Sequence, residues 1–151
     1  MFRGIFTAKI DEKGRVSIPA RFREILDASG SDEICITNFK VDGCNCLDVY
    51  PQAKWLELEQ RLRGSQERSP RVIKFFQNYY LPGVQECRID RQGRILVCPR
   101  LRDYAQLDRE FVLVGIGEKM RAYSPASWET VFSNGEESLP EDPDVVAALG
   151  V

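Results

Sequence analysis

The chain has 151 residues, a length that fits a single domain, and its 43% hydrophobic and 29% charged residues are ordinary for a globular protein. It has no run of about 18 apolar residues, and its N-terminus lacks the basic and apolar regions of a signal peptide. We therefore expect a cytoplasmic protein with no membrane partner. Five cysteines without zinc-finger spacing, and no histidine, argue against a disulfide framework, a metal site or a cofactor.

The first half of the chain is predicted to form six elements in the order β-β-α-β-β-α. The turn between the first two strands begins at Asp11, whose carboxylate can accept backbone N–H groups, and ends at Gly14, which can take a left-handed conformation. Pro19 begins a short helix. The predicted elements span residues 6–10, 15–18, 19–26, 34–37, 47–50 and 51–62.

An aromatic-rich linker helix is predicted at residues 71–80, and Pro82 and Gly83 end it. Its aromatic side chains, at helical spacing, are more typical of a core or an oligomer contact than of a surface that stacks on bases. The second half then repeats the element order of the first, and Ser124 and Pro125 begin its final helix. The other predicted elements of this half span residues 86–89, 94–97, 111–114 and 120–123, with a short helix after residue 99.

The second half also repeats the sequence of the first. The segment Ile10–Ile18 returns 79 residues later as Ile89–Val97. Six positions in and just after this segment are identical in the two copies: Ile10/Ile89, Asp11/Asp90, Gly14/Gly93, Arg15/Arg94, Arg21/Arg100 and Arg23/Arg102. Later anchors match in the same order, Tyr50 and Trp55 with Tyr123 and Trp128. Self-similarity of this kind predicts two copies of one small unit.

The repeat sets the expected architecture. We predict a β-rich α+β fold with a first unit at residues 5–52 and a second at 83–126. A helix and linker helix at 53–82 join the two units, and a C-terminal helix and acidic tail follow at 127–151. Each unit is too small for a robust core of its own, so the two are expected to pack on each other, on neighbouring chains, or on both.

The charge distribution separates the chain into basic and acidic zones, although its net charge is only −2. Residues 1–25 hold six basic and three acidic residues, and residues 61–102 hold ten basic and three acidic. Residues 133–151 hold five acidic residues and no basic one. Each basic zone contains one copy of the Asp-x-x-Gly-Arg motif. Because binding to a polyanion depends on where charge is placed, this distribution favours a nucleic-acid partner.

The Asp-x-x-Gly-Arg motif has two interpretations. It can be a purely structural turn, in which Asp11 holds the turn and pairs with Arg15. It can also be a binding device, because a rigid turn projects Lys13 and Arg15 and a planar guanidinium suits phosphate or guanine. Its recurrence in two basic zones favours binding. The candidate DNA-binding residues are Lys13, Arg15, Arg91 and Arg94, and the candidate turn-forming residues are Asp11, Gly14, Asp90 and Gly93.

Nothing in the sequence indicates an enzyme: general acid–base chemistry usually needs histidine or a paired carboxylate in a pocket. The arginines Arg21, Arg23, Arg100 and Arg102 are expected to form a solvated helix face or to pair with Glu24 and Asp103. Trp55 and Trp128, which are equivalent in the two copies, are expected to anchor the packing of each unit.

At the level of the whole chain, the sequence resembles the MraZ family of bacterial transcriptional regulators over about residues 1–132. The segments that carry the resemblance are Met1–Gly4, Ile10–Arg15, Ile18–Arg23, Leu47–Pro51 with Trp55, Glu86–Arg94 and Leu113–Gly115. The resemblance implies two tandem SpoVT/AbrB-like units that form a swapped-hairpin double β barrel. It also implies that Asp11, Arg15, Asp90 and Arg94 belong to a DNA-facing surface.

The resemblance further implies function and assembly. It points to a sequence-specific, nucleoid-associated regulator that binds double-stranded DNA at promoter repeats upstream of the division and cell-wall gene cluster, as a ring-like homo-oligomer. An alternative, from antitoxin-like relatives of the same fold, is a protein-interaction module in which the acidic tail at 133–151 captures a partner.

Overall fold

The computed structural model describes residues 1–63, 69–138 and 143–150, apart from the side chain of Val145. The fold is mixed α+β with antiparallel strand pairing. Part of the predicted acidic tail lies outside the described residues. Among the described residues, no helix is long and apolar enough to cross a membrane.

The elements follow the predicted order in both halves. The strands are β1 (Phe2–Lys9), β2 (Arg15–Ser17), β3 (Glu33–Val41), β4 (Cys44–Pro51), β5 (Gln85–Arg88), β6 (Arg94–Leu96), β7 (Glu110–Gly117) and β8 (Met120–Tyr123). The helices are α1 (Ala20–Ala28), α2 (Gln52–Arg63), α3 (Pro70–Phe75), α4 (Pro99–Tyr104), α5 (Pro125–Glu137) and α6 (Pro143–Ala148). A π-helical turn, Phe76–Tyr80, continues α3, and we call Pro70–Tyr80 the linker helix. Helix α5 begins at the predicted Ser124 cap and runs five residues into the segment predicted as the tail.

Six strands form one sheet in the order β1-β7-β8-β4-β3-β5. Under the repeat β1 corresponds to β5, β3 to β7 and β4 to β8, so the order is the same from either end. The central ladder pairs β4 with β8, with Asp48 opposite Arg121. These two residues are themselves equivalent, 73 residues apart. The sheet therefore has an approximate two-fold axis through its centre that exchanges the two copies.

Strands β2 and β6 form a separate ladder on the same pseudo-symmetry. Its central pair is Val16 and Ile95, which are equivalent positions. Strand β2 is joined to β1 by the predicted turn, but the two strands share only an isolated bridge between Ile10 and Val16. The strand that follows each turn thus finds its ladder partner in the other copy.

The main core lies between the six-stranded sheet, the β2–β6 ladder and helices α1 and α4. Its members come from both copies and include equivalent pairs, among them Val16 with Ile95, Ile18 with Val97 and Phe22 with Leu101. All six of these side chains are at most 4% exposed. Burying both halves in one core resolves the size problem of a single unit, because neither half has to exclude water alone.

The linker helix packs against β3 and α2 of the first copy, and among the described residues no equivalent helix packs on the second copy. The Thr37 hydroxyl donates to the carbonyl of Tyr80, and the Asn38 amide donates to the carbonyl of Tyr79. Phe76 and Tyr80 then cover Trp55 of α2, so part of the aromatic stripe is core, as predicted. Side-chain donors on β3 satisfy the carbonyls that end the linker helix, which fixes it against the sheet.

The five cysteines are all free thiols. Cys35 is buried in the sheet, where desolvation raises the pKa of its thiol to about 12. Cys98 is half-buried and packs against the main core. Both pack as small apolar side chains.

Candidate nucleic-acid interface

The first Asp-x-x-Gly-Arg turn is closed by its own aspartate. Asp11 Oδ1 accepts the backbone N–H groups of Lys13 and Arg15, each at 2.9 Å. Asp11 Oδ2 accepts from Arg15 Nε at 2.6 Å. The Gly14 N–H donates to the carbonyl of Asp11, and Gly14 has φ +86°. One carboxylate therefore fixes both the turn and the arginine that follows it.

The second turn reproduces this geometry. Asp90 Oδ1 accepts from the backbone of Gln92 and Arg94 at 2.9 Å, and Asp90 Oδ2 accepts from Arg94 Nε at 3.0 Å. Gly93 has φ +75°. The two turns have the same hydrogen bonds although the two residues between Asp and Gly differ. The geometry therefore comes from the shared residues of the Asp-x-x-Gly-Arg motif.

Hydrogen bonds lower the pKa of both turn aspartates. The backbone N–H of Arg15 lowers the pKa of Asp11 most, and the backbone N–H of Arg94 lowers that of Asp90 most. The guanidinium paired with each aspartate lowers its pKa further. Hydrogen bonds to the charged form favour that form. Both carboxylates are therefore held ionised, and both turns stay closed at neutral pH.

The β2–β6 ladder joins the two turns. It pairs Arg15 with Leu96 and Ser17 with Arg94, and it is extended by Val97 N–H to Gly14 O and by Ile18 N–H to Gly93 O. Because Val16 and Ile95 point inward, their neighbours point outward. Arg15 and Arg94 thus share the outer face as a diagonal pair, with Cα atoms about 7–8 Å apart. The turns lie at opposite ends of this ribbon, about 14 Å from each other.

Each turn is also packed by an arginine from the other copy. A Cβ added at Gly14 would lie 2.9 Å from Arg102 Cζ, and one added at Gly93 would overlap the side chain of Arg23. Within the described part of the chain, the Nε–H groups of Arg23 and Arg102 are buried and donate to no hydrogen-bond acceptor. The two glycines are required both for their backbone conformation and for this close approach.

The candidate DNA-binding residues differ in whether their side chains take part in the hydrogen bonds of the turn. Lys13 and Arg91 are exposed at the turn tips. Arg15 and Arg94 are half-exposed and use Nε in the turn. Among the residues that the structure describes, their terminal Nη atoms have no hydrogen-bond partner. Two planar guanidiniums of fixed orientation remain available to a ligand on one face.

The expectation for the helix arginines was wrong at Arg23 and Arg102. Arg23 and Arg102 are half-buried over the opposite turns and form no ion pair with Glu24 or Asp103 among the described residues. Arg100 donates to the Asn38 side chain and to the carbonyl of Gly83. Only Arg21 lies on an exposed face with no interaction of this kind. Identity between the two copies did not single out the pair at 23 and 102, because the exposed Arg21 and its counterpart Arg100 are identical too.

Sequence comparison identifies the family. A family model described as "MraZ protein, putative antitoxin-like" matches residues 1–75 and 81–146. A protein of Geotalea daltonii named "Transcriptional regulator MraZ" is 41% identical, and the match covers all of both chains. This chain belongs to the MraZ family. MraZ proteins of Desulforamulus reducens and Moorella thermoacetica are 40% and 43% identical over 93% and 85% of this chain, and over 94% and 85% of their own.

Proposed function

We propose that this MraZ-family chain is a sequence-specific DNA-binding transcriptional regulator, without enzymatic activity, that acts as a ring-like homo-oligomer. The observation that carries the proposal is the β2–β6 ribbon, which presents Arg15 and Arg94 on one outer face with a turn at each end. The printed name of the relatives, "Transcriptional regulator MraZ", supports the same function.

The ribbon suits B-DNA in size and chemistry. The major groove is about 12 Å wide and admits a two-stranded β-ribbon, and an arginine can donate two hydrogen bonds to guanine O6 and N7. The free Nη atoms of Arg15 and Arg94 are assigned this base contact. Lys13 and Arg91, at the turn tips, are assigned phosphate contacts, which set position and orientation rather than sequence.

One ribbon offers few contacts, so useful affinity requires several ribbons on one DNA. A ring of subunits on repeated promoter elements supplies this by multivalency, which raises avidity without new contacts. The proposed targets are the repeats upstream of the division and cell-wall gene cluster, in the cytoplasm at the nucleoid. Two units related by a pseudo-two-fold axis, as residues 5–52 and 83–126, are compatible with the swapped-hairpin AbrB-like barrel that belongs to this proposal.

The proposal is tested by binding of the full chain to a promoter duplex with repeats and to a scrambled duplex, over a range of salt concentrations. Arg15→Ala and Arg94→Ala should each weaken binding to the repeats by about 5- to 150-fold and reduce the preference over the scrambled duplex. Lys13→Ala should weaken binding to both and reduce the salt slope by about 0.9.

The matched control is Arg88→Ala, which removes the same charge from β5, where Arg88 is exposed and pairs with Glu33. It should bind as wild type. If folded Arg15→Ala and Arg94→Ala proteins also bind as wild type, the ribbon is not the DNA-binding surface.

A further inference from the structure

The two copies differ in how their last helix is covered. In the first copy Trp55 of α2 packs against Tyr50 with ring centroids 5.3 Å apart. Phe76 of the linker helix stacks on Trp55 with ring centroids 6.1 Å apart, and Trp55 is left 2% exposed. The tryptophan face of α2 is therefore closed by a segment that follows it in the chain.

In the second copy the equivalent face of α5 is open. Trp128 packs against Tyr123 at 5.3 Å, as its counterpart does in the first copy. Its other ring neighbour is Phe132 of the same helix, which is 50% exposed. Trp128 itself is only half-buried. No segment among the described residues takes the place of the linker helix, because the chain contains one linker helix for two copies.

The linker helix carries an apolar face of its own. Its residues Val72, Ile73 and Phe75, and Leu81 just after it, are 36–40% exposed. Ile73 and Leu81 line a hollow together with Leu62 of α2. Contiguous exposed apolar side chains of this kind mark interaction surfaces more often than isolated ones do.

The two open faces have complementary charges. The linker helix holds Arg71 and Lys74 and no acidic residue, whereas α5 holds Glu129, Glu136 and Glu137 and no basic residue. Placing α5 of one copy of the chain on the linker helix of another would pair these charges around the apolar contact. Two α5 helices, or two linker helices, would instead bring like charges together, which disfavours a symmetric contact between identical faces.

We propose that the open face of α5, centred on Trp128 and Phe132, docks on the exposed face of the linker helix of a second copy of this chain. The contact uses different surfaces on its two sides, so it is head-to-tail, and repetition of a head-to-tail contact gives a closed ring when the rotation closes. The proposal rests on the self-association in the proposed function and is independent of the DNA-facing ribbon.

The first test compares the native masses of two single variants with wild type. Phe132→Glu places a charge in the centre of the contact, and at equal concentration it should weaken assembly at least tenfold, to the mass of a smaller species. Leu56→Glu is the matched control: Leu56 is 46% exposed on α2, the helix equivalent to α5. It should assemble as wild type. Both positions are exposed, so a circular dichroism melt should show both variants folded.

The second test identifies the two sides of the contact by charge reversal. A chain with Arg71→Glu and Lys74→Glu, and another with Glu129→Lys and Glu136→Lys, should each assemble more weakly than wild type. Mixed in equal amounts, they should recover the wild-type mass, since each then offers the partner charge that the other lacks. A contact between two α5 helices would leave the linker variant assembled, and that result would overturn the proposal.

The outcomes separate this interface from the proposed function. If wild type assembles and Phe132→Glu assembles equally well, the α5 face is covered by the chain's own C-terminal segment or by another protein, and the interface is wrong. If wild type is a single chain at all concentrations, both this interface and the proposed ring are wrong. The promoter-binding assay on Arg15→Ala then still tests whether the ribbon recognises DNA.

Discussion

Asp48 and Arg121 occupy the same position in the two copies of the repeat and pair with each other at the centre of the six-stranded sheet. Arg121 Nε donates to Asp48 Oδ1 at 2.5 Å, and Lys119 Nζ donates to Asp48 Oδ2 at 2.9 Å. The hydroxyl of Tyr80, from the linker helix, also donates to Asp48. Opposite charges at equivalent positions let the copies meet face to face, where two aspartates would repel. The pair joins both copies and the linker.

Asp48→Ala should lower the free energy of unfolding by about 3–5 kcal/mol, because it leaves the cations of Lys119 and Arg121 without the carboxylate that compensates their burial. Urea denaturation measures the change. Asp27→Ala, on the exposed face of α1, is the control and should change stability by less than about 0.5 kcal/mol. A loss at Asp48 no larger than at Asp27 would mean that the buried network is not a stabilising connection.

Gly14→Ala should destabilise the protein by about 1–3 kcal/mol, since an alanine at φ +86° is strained and its Cβ meets Arg102 and the carbonyl of Val97. Gly135→Ala is the matched control, because Gly135 lies in α5 with nothing within 4 Å of an added Cβ. In a helix the same substitution should stabilise by about 0.5–1 kcal/mol. Thermal melts of the two variants should therefore shift in opposite directions, and a shared direction would contradict the assigned geometry.

Arg102→Ala should loosen the turn of the opposite copy. Because the guanidinium of Arg102 packs on Gly14, its loss exposes the first turn to water, and amide exchange at Lys13 and Arg15 should accelerate. Hydrogen exchange followed by NMR measures each amide separately. The amide of Arg94, in the copy that carries Arg102, should exchange as in wild type. Faster exchange at Arg94 alone would show that Arg102 supports its own turn.

The pH dependence of the turns follows from their aspartates. The pKa of Asp11 and of Asp90 is lowered in the folded chain, so each contributes stability that is present above the aspartate pKa of the unfolded chain. That contribution is lost as the pH falls through the lower, folded-state value. Carboxyl carbon NMR should place both midpoints below about 3.9, the value of an unperturbed aspartate. A midpoint at or above that value would mean that the turn hydrogen bonds do not form in solution.

The sequence predicted features that depend on residues close together in the chain. The Asp11–Gly14 turn involves atoms four residues apart, and the Ser124 cap only three, so local chemistry fixes both. The order of strands and helices was predictable for the same reason. The ends of the β3–β4 hairpin were not, because Asp42 and Gly43 extend the ladder beyond its apolar centre with two left-handed turn residues.

By itself, the sequence determined that there are two copies of one unit, where their turns lie, and which residues each turn uses. Only the tertiary structure decided which strands and side chains of one copy pack against the other copy. The turn alone would allow β2 to pair with β1 in a local hairpin. Instead β2 pairs with β6 of the other copy, because one shared core buries more apolar surface than two separate halves would. The same exchange puts Arg23 and Arg102 on the opposite turns. The tertiary structure also showed that the one linker helix covers Trp55 and leaves Trp128 half-exposed.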